Sequence, residues 1–201
     1  NKIDEEIKSK TLAAAKICED LGHIVEEIEI DLTQLKILDA WRILPAINLL
    51  NNMKKRSDFL KIELKEHHLE PLNWAWYEEG KKYNAVDYME AINNMHKIGR
   101  IIGEYFIKYD LLLTPTVAKK ELPLGVIKTN HTNVEQHINY LFRELAPHTA
   151  IFNQTGGPAM SLPMQQSDNN APFGMHFAGK IGDEGKLISL AGQIERNFPW
   201  T

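Results

Sequence analysis

An α/β architecture follows from three features of the 201-residue sequence. Residues 1–30 read as a helix, a glycine stop and a one-sided strand, the unit from which α/β folds are built. Charge and backbone punctuation are spread unevenly. Residues 1–110 hold 16 Lys+Arg, 20 Asp+Glu, 4 Gly and 2 Pro, whereas residues 111–201 hold 7, 7, 8 and 7. The first half therefore reads as amphipathic helices with wetted outer faces, and the second as buried strands joined by tight, backbone-shaped loops. Finally, Leu111-Leu-Leu-Thr-Pro-Thr-Val117 is an abrupt continuous apolar run, the pattern of a strand covered on both faces.

Taken in order, Ile3, Ile7, Ala14, Ile17 and Leu21 share one helical stripe, and Gly22 is a natural C-terminal stop. Ile24, Ile28 and Ile30 alternate with glutamates as one face of a strand. Residues 33–50 have helical spacing, with Pro45 expected to kink or break the helix. Residues 57–70 are expected to be helical and to stop at Pro71. Residues 86–108 make the longest helix, with Met89, Ile92, Met95, Ile102, Phe106 and Tyr109 tracking one face. After the strand at 111–117, Phe152-Asn-Gln-Thr-Gly-Gly-Pro-Ala-Met-Ser-Leu-Pro163 reads as a loop and then a short strand. Ser167-Asp-Asn-Asn170 forms a turn, and Pro172-Phe-Gly-Met-His-Phe-Ala178 supplies a hairpin partner. Asp183 caps a last helix that buries Leu187, Ala191 and Ile194 and ends near Asn197.

The formal charge of −4 gives no basic field for nucleic acid or an anionic membrane surface. Cys18 is the only cysteine, which excludes an internal disulfide and a cysteine zinc cage. Beside Glu19 and Asp20 it reads as a buried filler rather than a nucleophile, because carboxylates raise a thiol pKa. No apolar stretch approaches the ~18 residues that span a bilayer. With no signal-peptide pattern, cytoplasm is the default compartment. The sequence opens at Asn1, so more chain is expected upstream.

Chemistry is scarce. The eight histidines lack metal-ligand spacing: His67 and His68 are adjacent, and His131, His137 and His148 read as solvated. Lys54-Lys-Arg56 reads as a solvated helix end, and Trp74, Trp76 and Tyr77 as helix packing. There are only five serines, and none lies in G-x-S-x-G or Ser-x-x-Lys. Ser161, within an alternating strand, reads as structural because a nucleophile needs an exposed turn and a base. The strongest constellation is Asn153 to Gly157. Gly156 and Gly157 permit positive φ or close ligand approach, and Asn153 and Thr155 can brace the loop.

The run Phe152 to Pro163, with the Pro172-Phe-Gly strand and the Gly182-Asp-Glu helix ending before Trp200, closely resembles the carboxy-terminal end of the amidase signature family. Tyr109-Asp-Leu-Leu-Leu-Thr-Pro-Thr116 and the Leu21-Gly-His-Ile-Val25 turn fit the same family, so the match spans essentially the whole chain. The Phe152-Asn-x-Thr-Gly form is similar to the subgroup containing 6-aminohexanoate-cyclic-dimer hydrolase. The resemblance implies an α/β/α fold with a mixed central sheet, and hydrolysis of carboxamides without metal or other cofactor. The implied machinery is a Ser–cis-Ser–Lys triad upstream of this region, so no catalytic residue is assigned within it. Thr114, Pro115 and Thr116, and Asn153, Gln154, Thr155, Gly156 and Gly157, are carried over as residues approaching the substrate cavity. The implied partners are the N-terminal catalytic half and a small-molecule amide, with no nucleic acid or membrane. Alone, the chain is expected to be inactive and to dimerise or aggregate through exposed sheet surface. The alternatives are a non-catalytic binding or assembly subunit that kept the sheet, and an unrelated ligand-binding domain.

Overall fold

The computed structural model describes residues 4–31, 36–166 and 171–199. Ile3, residues 33–35 of the second predicted helix and the predicted turn at 167–170 lie outside them. Helix α1 spans Glu5–Asp20, with the Asp4 carboxylate accepting from the Glu6 N–H at 2.9 Å. It buries Ile7, Ala14 and Cys18 and ends at Gly22, whose φ of +92° needs no Cβ. Burial pushes the Cys18 thiol up, as suits an inert filler.

Helix α2 (Ile37–Leu60) runs through Pro45. The expected break does not occur because α2 packs against α3 (Pro71–Gly80) and α4 (Ala85–Lys108), and tertiary contact outweighs the lost backbone bond. It ends at Leu60, and Lys61 turns left-handed with φ 54°. Of the helix expected at 57–70, residues 57–60 are the last turn of α2, and the rest is an exposed loop with a 3-10 turn at Glu66–His68. The aromatic cluster sits on α3, which starts with Pro71 in the first turn, where its missing N–H costs nothing. Asn84 caps α4, accepting from Val86 N at 2.7 Å, while Asp87 accepts from Asn84 N at 2.8 Å.

Three strands follow: β1 (Leu111–Pro115), β2 (Ala159–Gln166) and β3 (Pro172–Gly179). They pair antiparallel in the order β1-β3-β2. The predicted run to Val117 is shorter as a strand, though the Thr116 N–H still donates to Gly174 O at 3.0 Å. Residues 24–30, expected as a strand, are not part of a ladder among the described residues. Alternation alone does not supply the neighbour that a strand's N–H and C=O groups require. Ile24 is 93% exposed, while Val25 packs on one core and Ile28 and Ile30 on another.

Period-two alternation puts a helix layer on each face of the sheet. Met175 and Phe177 of β3, with Leu162 of β2, pack against Ile7, Cys18, Leu187 and Ile194 of α1 and α7 (Glu184–Asn197). Leu112 and Ala178 face the other way, onto Ile98 and Ile102 of α4 and Phe152 of α6 (Thr149–Thr155). This is the α/β class with helices on both faces of the sheet. Met175 is fully buried at 0% exposure, so Met175→Ala is expected to cost about 3 kcal/mol in chemical denaturation. Among the described residues, no helix is long and apolar enough to cross a membrane.

The remaining helix, α5 (Val134–Asn139), runs into a π-helical turn at Tyr140–Leu145 and lies against α2. Arg42 of α2 donates through Nε to Glu135 Oε2 at 3.0 Å, and Trp41 stacks on Phe142 at 4.0 Å between ring centroids.

Candidate functional site

The second face of the sheet changes character along its length. Leu112 and Ala178, paired across β1 and β3, close a hydrophobic core. One step further along the same face, Thr114 pairs with His176, and Ser161 pairs with His176 from the other side. Thr116 and Gly174 come next. The face thus turns from apolar to hydroxyl- and imidazole-bearing at the end of β1. There the sheet and α6 enclose an open hollow of about 310 Å³.

Its polar lining is Thr116, Thr149, Asn153, Ser161 and His176. Thr116 Oγ1 and Ser161 Oγ share a hydrogen bond of 2.6 Å. That approach depends on Gly174, because a Cβ there would stand 2.6 Å from Ser161 Oγ and 2.8 Å from Thr116 Oγ1. Gly174→Ala is therefore expected to separate the two hydroxyls and lower stability by about 1–2 kcal/mol, measured as a shifted urea midpoint. His176 Nδ1 lies 3.0 Å from Thr114 Oγ1 in a hydrogen bond, and its ring stands 5.2 Å from that of Phe152. The imidazole is buried, and burial, with His148 nearby, pushes its pKa down to about 4. It is neutral at neutral pH.

Of the sequence-predicted residues, Thr116, Asn153 and Gly157 meet at this hollow. The others do different work. Thr114 supports His176, and Pro115 pairs with Met175 within the sheet. The stretch 153–155, expected as a loop, is the last turn of α6, because Gly156 with φ +71° serves as a left-handed helix stop. Asn153 Nδ2 donates to Thr149 O at 3.3 Å and Thr155 Oγ1 to Phe152 O at 3.4 Å, so both side chains brace the helix end. Gln154 is buried away from the hollow and donates to Ile37 O at 2.7 Å. Gly156 faces open space.

Thr149, Ser161 and His176 escaped the sequence reading as site residues. The hydroxyl partner of Ser161 among the described residues is Thr116, not an imidazole or amine. The histidines read as solvated include two that are not. His137 is buried 5.9 Å from the Trp76 ring and 5.8 Å from His131, and His148 Nε2 is buried without a partner among the described residues. Trp76, beside His137, lies on α3, and His176, beside His148, lies on β3, each distant in sequence. Among the described residues, no group of three His, Cys, Asp or Glu could hold a metal ion.

A family model described as Amidase matches residues 1–188. The chain belongs to the amidase family. It is 29% identical over 207 residues to a Mycobacterium leprae protein that carries the name amidase AmiC, covering 97% of this chain and 41% of that one. It is 24% identical to the 6-aminohexanoate-cyclic-dimer hydrolase of a Pseudomonas strain, covering 98% of this chain and 41% of that one. Solved structures of a 6-aminohexanoate cyclic dimer hydrolase and of a bacterial aryl acylamidase share its fold. The first has a TM-score of 0.90 at 21% identity over 98% of this chain and 42% of its own. The second has 0.82 at 20% over 100% and 42%. This amidase-family chain thus spans about two-fifths of the length of the curated relatives it matches.

Proposed function

We propose that this chain is the C-terminal portion of an amidase that hydrolyses non-peptide carboxamide C–N bonds, and that its polar hollow forms one side of the substrate pocket. The observation that carries this reading is the family match over residues 1–188, in a chain that covers only about 41% of its relatives. The reaction would be run by a Ser–cis-Ser–Lys triad in the N-terminal half of the same enzyme. There one serine is acylated, the bridging serine passes its proton on, lysine is the base, and backbone N–H groups hold the oxyanion. No metal or other cofactor takes part.

Within this chain, Thr116, Asn153 and Gly157 would touch substrate, while Thr114, Pro115, Gln154, Thr155 and Gly156 hold the wall in shape. The N-terminal half is the partner that would cover the sheet, and without it the chain pairs with a second copy or aggregates. Cytoplasm is the proposed compartment. Ammonia release from simple amides tests the reading. The longer enzyme is expected to turn them over and the purified 201-residue chain is not; turnover by the chain alone would sink the proposed division of labour.

A further inference from the structure

We propose that the C-terminal tip of α2 docks the protein on an anionic bilayer surface, with Phe59, Leu60 and Ile62 entering the headgroup layer. This tip shares no residue with the hollow at the end of β1, and its role does not depend on the amidase reading. Ile37, at the start of α2, packs on the core shared by the sheet and α4. Leu60, at the other end, lies about 35 Å further along the helix. The end of α3 rests against Ala46 and Leu50, and of residues 51–60 only Met53 and Ser57 are not exposed. The last turns of α2 therefore project from the helical shell, away from the sheet that the rest of the enzyme would cover.

Phe59 is 75% exposed, and Leu60 and Ile62 are each 44% exposed. Lys61 between them is left-handed, and two bonds close its turn: Ile62 N–H donates to Ser57 O at 3.2 Å, and Ser57 Oγ donates to Ile62 O. Glycine or asparagine would suit that φ of 54° better, so lysine holds a cation there at a steric cost. Residues 54–63 carry Lys54, Lys55, Arg56 and Lys61 against Asp58 and Glu63, a local excess of two positive charges in a chain of net charge −4. None of the four cations is in an ion pair among the described residues, and Arg56 sits 5.5 Å over the Phe59 ring. Apolar side chains beside unpaired cations suit an anionic lipid surface, where each signal alone binds weakly and the two add. Like-charged tips of two copies would repel each other.

Co-sedimentation of the longer enzyme with vesicles of phosphatidylcholine, alone or mixed with phosphatidylglycerol, tests this. Binding to the mixed vesicles is expected to be at least about tenfold tighter than to the neutral ones, and to weaken in high salt. Phe59→Ser combined with Ile62→Ser, both at exposed positions, should weaken it about tenfold or more and leave the urea midpoint unchanged. Lys54→Glu combined with Lys55→Glu should weaken it comparably through charge alone. No binding to the mixed vesicles, equal binding to both compositions, or full binding by either variant overturns the proposal. A lower urea midpoint in the Phe59→Ser, Ile62→Ser variant would assign the tip to packing within the enzyme. A change from dimer to monomer in light scattering would assign it to a second copy. Either result also overturns the proposal.

Discussion

Gly80→Ala is expected to destabilise the protein by about 2–3 kcal/mol, seen as a lower urea midpoint with an unchanged slope. Gly80 is the last residue of α3, and a Cβ there would stand 2.4 Å from the Ala46 carbonyl oxygen and 2.9 Å from its carbon. These are backbone atoms of a helix held from two sides by α3 and α4, so they cannot swing away as a side-chain tip could. The two helices touch through backbone at this point, and only glycine leaves the room. Gly103→Ala in α4 provides the opposite sign. Nothing lies within 4 Å of its Cβ, so the same substitution should stabilise by about 0.5–1 kcal/mol through helix propensity. Equal effects at the two sites would contradict the close α2–α3 contact.

Acidification is expected to unfold the protein chiefly through His176. The unfolded chain takes a proton on this imidazole below pH 6.5, whereas the folded protein resists until about pH 4 because the ring is only 4% exposed. Stability is therefore intact above 6.5 and falls as the pH drops from 6.5 to about 4. At about 1.4 kcal/mol per tenfold, the loss approaches about 3 kcal/mol. His148, shifted down by burial, and His137, by burial and by His131, add loss in the same direction. Denaturation midpoints across this range should fall steeply in the unsubstituted protein and less so in His176→Gln. An identical fall in the two would assign the acid sensitivity elsewhere.

Local rules carried the elements whose ends are marked by their own residues. Gly22 closes α1, and the leucines after Asp110 announce a strand buried on both sides. They failed where distant contact decides. Pro45 does not interrupt α2 because two other helices hold it, and residues 24–30 have alternation but no neighbouring strand among the described residues. The site was half legible. Thr116, Asn153 and Gly157 sit on short motifs with unusual backbone chemistry. Ser161 and His176 reach the same hollow only through the pairing of β2 with β3, and no local spacing announces a register. Gly174 shows its reason only in three dimensions, as the gap that lets two hydroxyls meet.

The central claim is that this chain supplies a wall of an amide pocket whose reactive groups lie in the rest of the enzyme. Steady-state amide hydrolysis by the longer enzyme carrying Thr116→Val tests it most directly, because valine keeps the shape and removes the hydroxyl that pairs with Ser161. Losing a hydrogen bond worth about 1.4 kcal/mol should lower kcat/KM about tenfold, with KM taking most of the change and the urea midpoint moving little. A kcat/KM equal to that of the unsubstituted enzyme would place the substrate elsewhere and contradict the account.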